Sequence, residues 1–192
     1  MAVRKVIQIG HPSLHTKNKT INFNSSKLKK LIKDLKDTMY KTNLVGIAAP
    51  QINENYMVFL THPRSTKTRK LLKEDICRIY INPKIVSSSK QQINMYEGCG
   101  SVANGALFGS VLRSKEIKIE AYDEMGKKFS LLTDGILARI ILHELDHLTE
   151  VEFIQKVNDY SKILSKDFYI KDVRNSKEQK EVSKITKIEV EN

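Results

Sequence analysis

The sequence predicts an α+β fold: antiparallel β-sheets packed around a central helix carrying an H-E-x-x-H motif, with an N-terminal amphipathic helix and a C-terminal helical or frayed tail. Three observations lead there. Short runs rich in β-branched and aromatic residues lie on both sides of one long apolar helical pattern. Two of these runs flank a tight turn. No strand–helix–strand alternation of the kind that builds parallel sheets is present. At 192 residues and 22.0 kDa the chain suits one domain, read as residues 1–157 followed by a polar extension over 158–192.

"SSKLKKLIKDLKDTMYKTN" sets Leu28, Leu31, Ile32, Leu35 and Met39 at helical spacing with lysines opposite, and Ser25 or Ser26 is placed to cap it. "YMVFL", "RIYINPKIV" and "QQINMYEGC" read as strands. "KEIKIEAYDEMGKKFSLLT" alternates on both sides of Asp123–Gly126 and reads as a hairpin. The central helix follows, entered through Thr133 or Asp134 as cap. The Lys/Glu-rich residues after it suggest one docked helix and then a frayed end.

Composition narrows the class further. Forty per cent hydrophobic and 29% charged residues fit a soluble globular protein, and no run of eighteen apolar residues marks a membrane span. "MAVRKVIQIGHPSL" lacks the apolar core of a secretory signal, so a cytoplasmic, bacterial-type protein is expected, an organellar one without its targeting segment being the other source. A monomer is the expected state. Cys77, in "ICRIYIN", reads as an ordinary buried strand cysteine. The formal charge is +11, and residues 1–41 hold ten Lys or Arg against two acids. With "PRSTKTRKLLK", this gives either a solvated lysine surface or a face for a polyanion such as ribosomal RNA.

The chemistry concentrates in "ILARIILHELDHLTE". A helix places positions i and i+4 on one face, so His143 and His147 can each offer a ring nitrogen to one divalent ion. Glu144 lies one position along, turned aside, where it can contact a bound water. The alternative is a pair of core histidines bonded to backbone carbonyls. The apolar surface of Ile136, Ile140 and Ile141 makes unpaired polar groups costly there, which favours the metal. Asp146 points elsewhere, as a carboxylate behind the site or on the surface.

A third ligand is needed, with one position left open. Cys99 in "YEGCGSV" sits at a strand end between glycines, and its thiolate suits Zn²⁺ or Fe²⁺. In "VGIAAPQ", Gly46 allows close backbone approach and the Gln51 amide is a donor for an oxyanion. Gly46, Ile47, Ile136, Arg139 and Ile140 are candidates for a substrate pocket, or else plain core and surface. Glu97 and Arg113 flank the cysteine and can pair to hold its loop, or else form a solvated pair that contributes little.

"VGIAAPQ", "EGCGS" and "HELDH", in this order and at these spacings, resemble peptide deformylase, with "INPKI" and "DGILARIILHELDHL" also similar, over roughly residues 3–157. The resemblance implies Cys99, His143 and His147 as ligands of Fe²⁺, with Zn²⁺ or Ni²⁺ able to substitute. It implies Glu144 as general base and acid, and Gln51 with the Gly100 N–H as oxyanion donors. The implied substrates are N-formyl-methionyl nascent peptides, which release formate. The chain departs from the family pattern at Leu44 and Gly100, where Gly and Leu are usual, and at Glu150 and Gln155. "VANGALFGSVLR" lacks the Pro and substrate-facing Arg of many members. These changes touch substrate fit rather than the ligands. Two other readings stand beside it: another HExxH metallohydrolase such as a metalloprotease, and a catalytically weak deformylase-like protein that binds ribosomes or RNA.

Overall fold

The computed structural model describes residues 3–65, 71 and 76–191. The basic run at 63–73 therefore lies largely outside the described residues. Strands β1 (Gly46–Ala48), β2 (Val58–Thr61), β3 (Arg78–Ser88), β6 (Glu116–Tyr122), β7 (Lys128–Asp134) and β9 (Ile188–Glu191) form one sheet in the order β1-β2-β3-β6-β7-β9. A second sheet joins β4 (Gln92–Gly98), β5 (Leu107–Ser114) and β8 (Leu164–Ser165). Every strand pair is antiparallel, as expected.

Side-chain alternation decides what each strand covers. Along β2, Val58 and Leu60 join Ile79 and Ile81 of β3 beneath helix α1 (Ser26–Lys41). Phe59 and Tyr80 point the other way, stacked at 4.4 Å, beneath helix α2 (Gly135–Leu148). This end of the sheet is covered on both faces, so β2 reads as a continuous apolar run. The helix α1 begins where the sequence indicates: the Ser25 hydroxyl accepts the Leu28 N–H at 3.1 Å. The β6–β7 turn closes on Asp123, whose Oδ1 accepts the N–H groups of Met125 and Lys127, with Gly126 at φ +79°.

α2 runs between the two sheets. Leu137, Ala138, Ile141 and Leu148 pack on the larger sheet, while Arg139 and His143 reach residues of β4 and β5. Cys77 lies just before β3 and is half-buried rather than buried within a strand. Two segments without a strand assignment from sequence, β1 and β5, are short or glycine-interrupted.

The tail differs from a docked helix with a frayed end. Leu164 and Ser165 pair with β5, and short helices α3 (Lys166–Phe168) and α4 (Lys177–Ser183) are separated by a π turn. Tyr169 stacks on Phe108 at 4.0 Å, Ile185 is buried in the cluster beneath α2, and β9 pairs with β7. Its few apolar residues are spaced for separate docking sites, not for one helical face. Asp134 precedes α2 but makes no side-chain cap. Its carboxylate instead accepts the N–H groups of Thr186 and Lys187 at 2.7 and 3.0 Å, and the Thr186 hydroxyl.

Candidate metal centre

α2 presents two chemically different faces to the site. Arg139, His143 and His147 recur every fourth residue and face the smaller sheet, while Ile140 and Glu144 face β1. β1 can come this close only because residue 46 is glycine: a Cβ there would stand 2.3 Å from Glu144 Oε1 and 2.6 Å from Ile140 Cγ2. At the end of β4, Gly98 lies flat against the Phe108 ring, where a Cβ would sit 2.8 Å away. The next residue, Cys99, turns its sulfur toward α2.

Cys99 Sγ lies 3.2 Å from His147 Nε2. The donor atoms of Cys99, His143 and His147 fall within 4.8 Å of one another, all three residues buried. The Gln51 amide enters from the turn after β1. Its Oε1 accepts the Ala48 N–H at 2.9 Å, which leaves Nε2 directed at Cys99 Sγ (3.5 Å) and Ser101 Oγ (3.2 Å). Gly100 follows the cysteine, and a Cβ on it would meet both Leu44 methyls at 3.2 Å. The two family departures therefore touch: Leu44 covers the glycine from the opposite loop.

Behind the cluster, Glu97 joins three cationic or polar groups. Its Oε2 faces His143 Nδ1 at 2.9 Å, and its Oε1 accepts from Arg113 Nε and Arg139 Nη1, each at 2.7 Å. Arg113 also bonds Glu97 Oε2 at 2.9 Å and Asp146 Oδ2 at 2.5 Å. Arg139, a candidate for the substrate pocket or else for plain core or surface, is only 4% exposed. A guanidinium this deeply buried must be paired, and it is committed to Glu97 and to the carbonyls of Val111 and Ile93. Ile47 belongs to the core beneath α1 and Ile136 packs on the cluster beneath α2, while Gly46 and Ile140 stand beside Glu144.

The electrostatics follow from burial and these contacts. Burial opposes ionisation of Glu97, but Arg113 and the hydrogen bond with His143 override it and hold the carboxyl well below the usual range. Burial likewise works against a charged His143, yet Cys99 and Glu97 raise its pKa well above that of a free imidazole. Burial and the neighbouring His143 push His147 well below its ordinary value. Burial raises Glu144 to about 8, and its Oε2 has no hydrogen-bond partner.

Two residues escape the sequence reading. Glu97 can be matched to Arg113, but nothing local shows that it also reaches His143 and Arg139, 46 and 42 positions away. Glu152, five positions after His147, is only 1% exposed; the sole hint is an acid placed between Val151 and Phe153.

The chain is similar to known proteins along most of its length. The profile of the polypeptide deformylase family matches residues 3–162. A peptide deformylase-like protein of Staphylococcus aureus is 34% identical over 158 residues, covering 82% of this chain and 91% of that protein. A peptide deformylase of Neisseria meningitidis is 34% identical over 161 residues, covering 82% and 89%. A class I type b peptide deformylase from Acinetobacter baumannii, solved with Met-Ala-Ser bound, superposes with a TM-score of 0.74 at 27% identity, over 82% of this chain and 100% of that one.

Proposed function

The chain belongs to the polypeptide deformylase family, and from that premise we propose that Cys99, His143 and His147 hold one divalent cation beside Glu144 for removal of the formyl group from N-formyl-methionyl peptides. Deformylation is a hydrolysis: the formyl amide and water give formate and a peptide with a free amine.

The residues fit such an ion. One thiolate and two imidazoles form a borderline-soft donor set suited to Fe²⁺ or Zn²⁺, and three protein ligands leave a further position for solvent or substrate. Fe²⁺ is the proposed native ion, with Zn²⁺ or Ni²⁺ able to substitute. When bound, the ion supplies Lewis acidity toward water and the formyl carbonyl.

The protein's own groups account for the remaining steps. Glu144 takes the water proton at its unpartnered Oε2 and passes it to the departing amine nitrogen. Burial favours the protonated form of that carboxyl in the metal-free site, and a cation beside it would favour the ionised form that accepts the proton. Gln51 Nε2 and the Gly100 N–H donate to the carbonyl oxygen as charge develops there. Glu97 fixes the ring of His143 through Nδ1. Gly46 and Ile140 bound the space beside Glu144, and Leu44 over Gly100 narrows the groove for the peptide that follows methionine.

The convergence of Cys99, His143 and His147 beside Glu144 carries this reading. Iron-loaded protein is expected to release formate from formyl-Met-Ala-Ser, and Glu144→Ala to lose about 10²–10⁴-fold of that rate. Unchanged turnover in Glu144→Ala would remove its role, and cleavage of internal bonds in a blocked peptide would favour the metalloprotease reading. The excess of Lys and Arg in residues 1–41 supports a cytoplasmic protein that meets its substrates at the ribosome. Ribosome pelleting that weakens with salt tests this; pelleting indifferent to salt, or none, rejects it.

A further inference from the structure

Three buried polar atoms without hydrogen-bond partners lie together at the end of α2: His147 Nδ1, Glu152 Oε1 and Glu152 Oε2. The Nδ1–Oε1 separation is 3.8 Å, with both side chains 1% exposed. An unpaired carboxylate at this depth is expensive, and Glu97, the carboxylate behind the other histidine, has both oxygens bonded. The cost becomes intelligible if the carboxylate serves the imidazole beside it.

We propose that Glu152 is a positioning residue for His147, its carboxylate accepting the Nδ1–H and so fixing the tautomer that offers Nε2 to the cation. This rests on the Cys99, His143 and His147 centre proposed above. His147 Nε2 is on the side of the sulfur, at 3.2 Å, so Nδ1 faces away from the cluster and toward Glu152. The other histidine has the same arrangement already closed, with Nδ1 at 2.9 Å from Glu97. Each imidazole thus has its own carboxylate behind it, drawn from β4 in one case and from the turn after α2 in the other.

The backbone holds Glu152 in place. Its N–H donates to Gln155 Oε1 at 2.7 Å, its carbonyl accepts the Gln155 N–H at 2.9 Å, and the adjoining Phe153 is buried beside Cys99 in one apolar cluster. Asn18 Nδ2 secures the end of α2 by donating to the Leu148 carbonyl at 3.0 Å. An approach of about 0.8–1.1 Å from 3.8 Å, within the reach of a rotamer adjustment, brings Nδ1 and Oε1 into hydrogen-bond range, roughly 2.7–3.0 Å.

Charge accounting agrees. Glu97 and Asp146 offset Arg113 and Arg139, to which they are bonded, so that group is neutral by itself. What remains around the ligand set is three acidic side chains, Cys99, Glu144 and Glu152, whose charges a divalent cation would offset. A carboxylate behind a ligating imidazole also raises the basicity of the ring, and removing such a group typically weakens metal binding ~10–100-fold.

The test compares wild type, Glu152→Leu and Glu152→Gln by Zn²⁺ competition against a chromophoric chelator, by thermal unfolding of the metal-free proteins, and by the NMR signal of the His147 Nδ1–H in the Zn²⁺-loaded state. Glu152→Leu is expected to bind Zn²⁺ ~10–100-fold more weakly and lose the protected Nδ1–H signal. Its metal-free form should melt no lower than wild type, because an unpaired buried carboxylate has been removed. Glu152→Gln keeps an acceptor oxygen and is expected to retain the Nδ1–H signal with intermediate affinity. Wild-type Zn²⁺ affinity in Glu152→Leu, or weaker affinity accompanied by an equal loss of stability in the metal-free protein, overturns the proposal. If wild type itself takes up no Zn²⁺, the metal-centre reading fails instead.

Discussion

At the scale of single residues, Glu97 is where fold and chemistry meet. It is buried, it orients His143, and it neutralises Arg113 and Arg139. Glu97→Gln keeps the shape but leaves the buried Arg139 without a counter-charge and Arg113 with Asp146 alone, and a stability loss of about 3–5 kcal/mol is expected in urea titrations. The pH dependence has a definite sign. The native carboxyl is held below its ordinary value of 4.5, so its contribution is fully present above that pH and is lost as pH falls through the range beneath it. In the metal-free protein, wild type should lose stability more steeply than Glu97→Gln on acidification below about pH 4.5. Parallel curves would show that Glu97 gains nothing from its partners. The HELDH pattern is readable from sequence because helix geometry links His143 to His147 locally. The Glu97 contacts are unreadable because they close a loop of 46 positions, and no local rule selects one acid among 22.

At the scale of elements, the C-terminal end of α2 explains a departure that has no meaning in the sequence alone. The helix closes with a Val151 N–H bond to the Asp146 carbonyl at 2.9 Å, which places Glu150 at φ +65°. That is the left-handed position where glycine carries no penalty and a side chain costs ~1–2 kcal/mol. Glu150→Gly is therefore expected to stabilise the protein by about 1 kcal/mol, less the extra freedom glycine brings to the unfolded chain. A rise in melting temperature with unaltered formate release is the expected reading; a lower melting temperature would show that the Glu150 side chain has a compensating role. Strands with strong alternation, such as β6 and β7, are legible as a hairpin because turn chemistry and period agree there. β1 is not, since three small or apolar residues before a proline read equally well as a packing turn.

At the scale of the whole molecule, the segment after residue 162 lies beyond the stretch matching the family, yet it ties the two sheets and α2 together. β8 extends the smaller sheet, β9 extends the larger, and Ile185 is buried beneath α2. The docking is tight enough that a Cβ on Gly135, at φ +59°, would lie 2.2 Å from the Lys184 carbonyl oxygen. Its polar composition hides this from a sequence reading, because isolated contacts do the anchoring rather than a periodic face: buried Ile185, the Tyr169 stack, and Thr186 bonded to Asp134. The anchor lies at the first turn of α2, and eight residues separate Gly135 from His143, about 12 Å along the helix axis. Ile185→Ala should therefore cost about 2–5 kcal/mol of stability while leaving Zn²⁺ affinity within twofold of wild type. If stability is unchanged, the tail is not docked in solution as described. If affinity falls along with stability, α2 transmits the loss as a rigid rod, and the tail belongs to the machinery that shapes the metal centre.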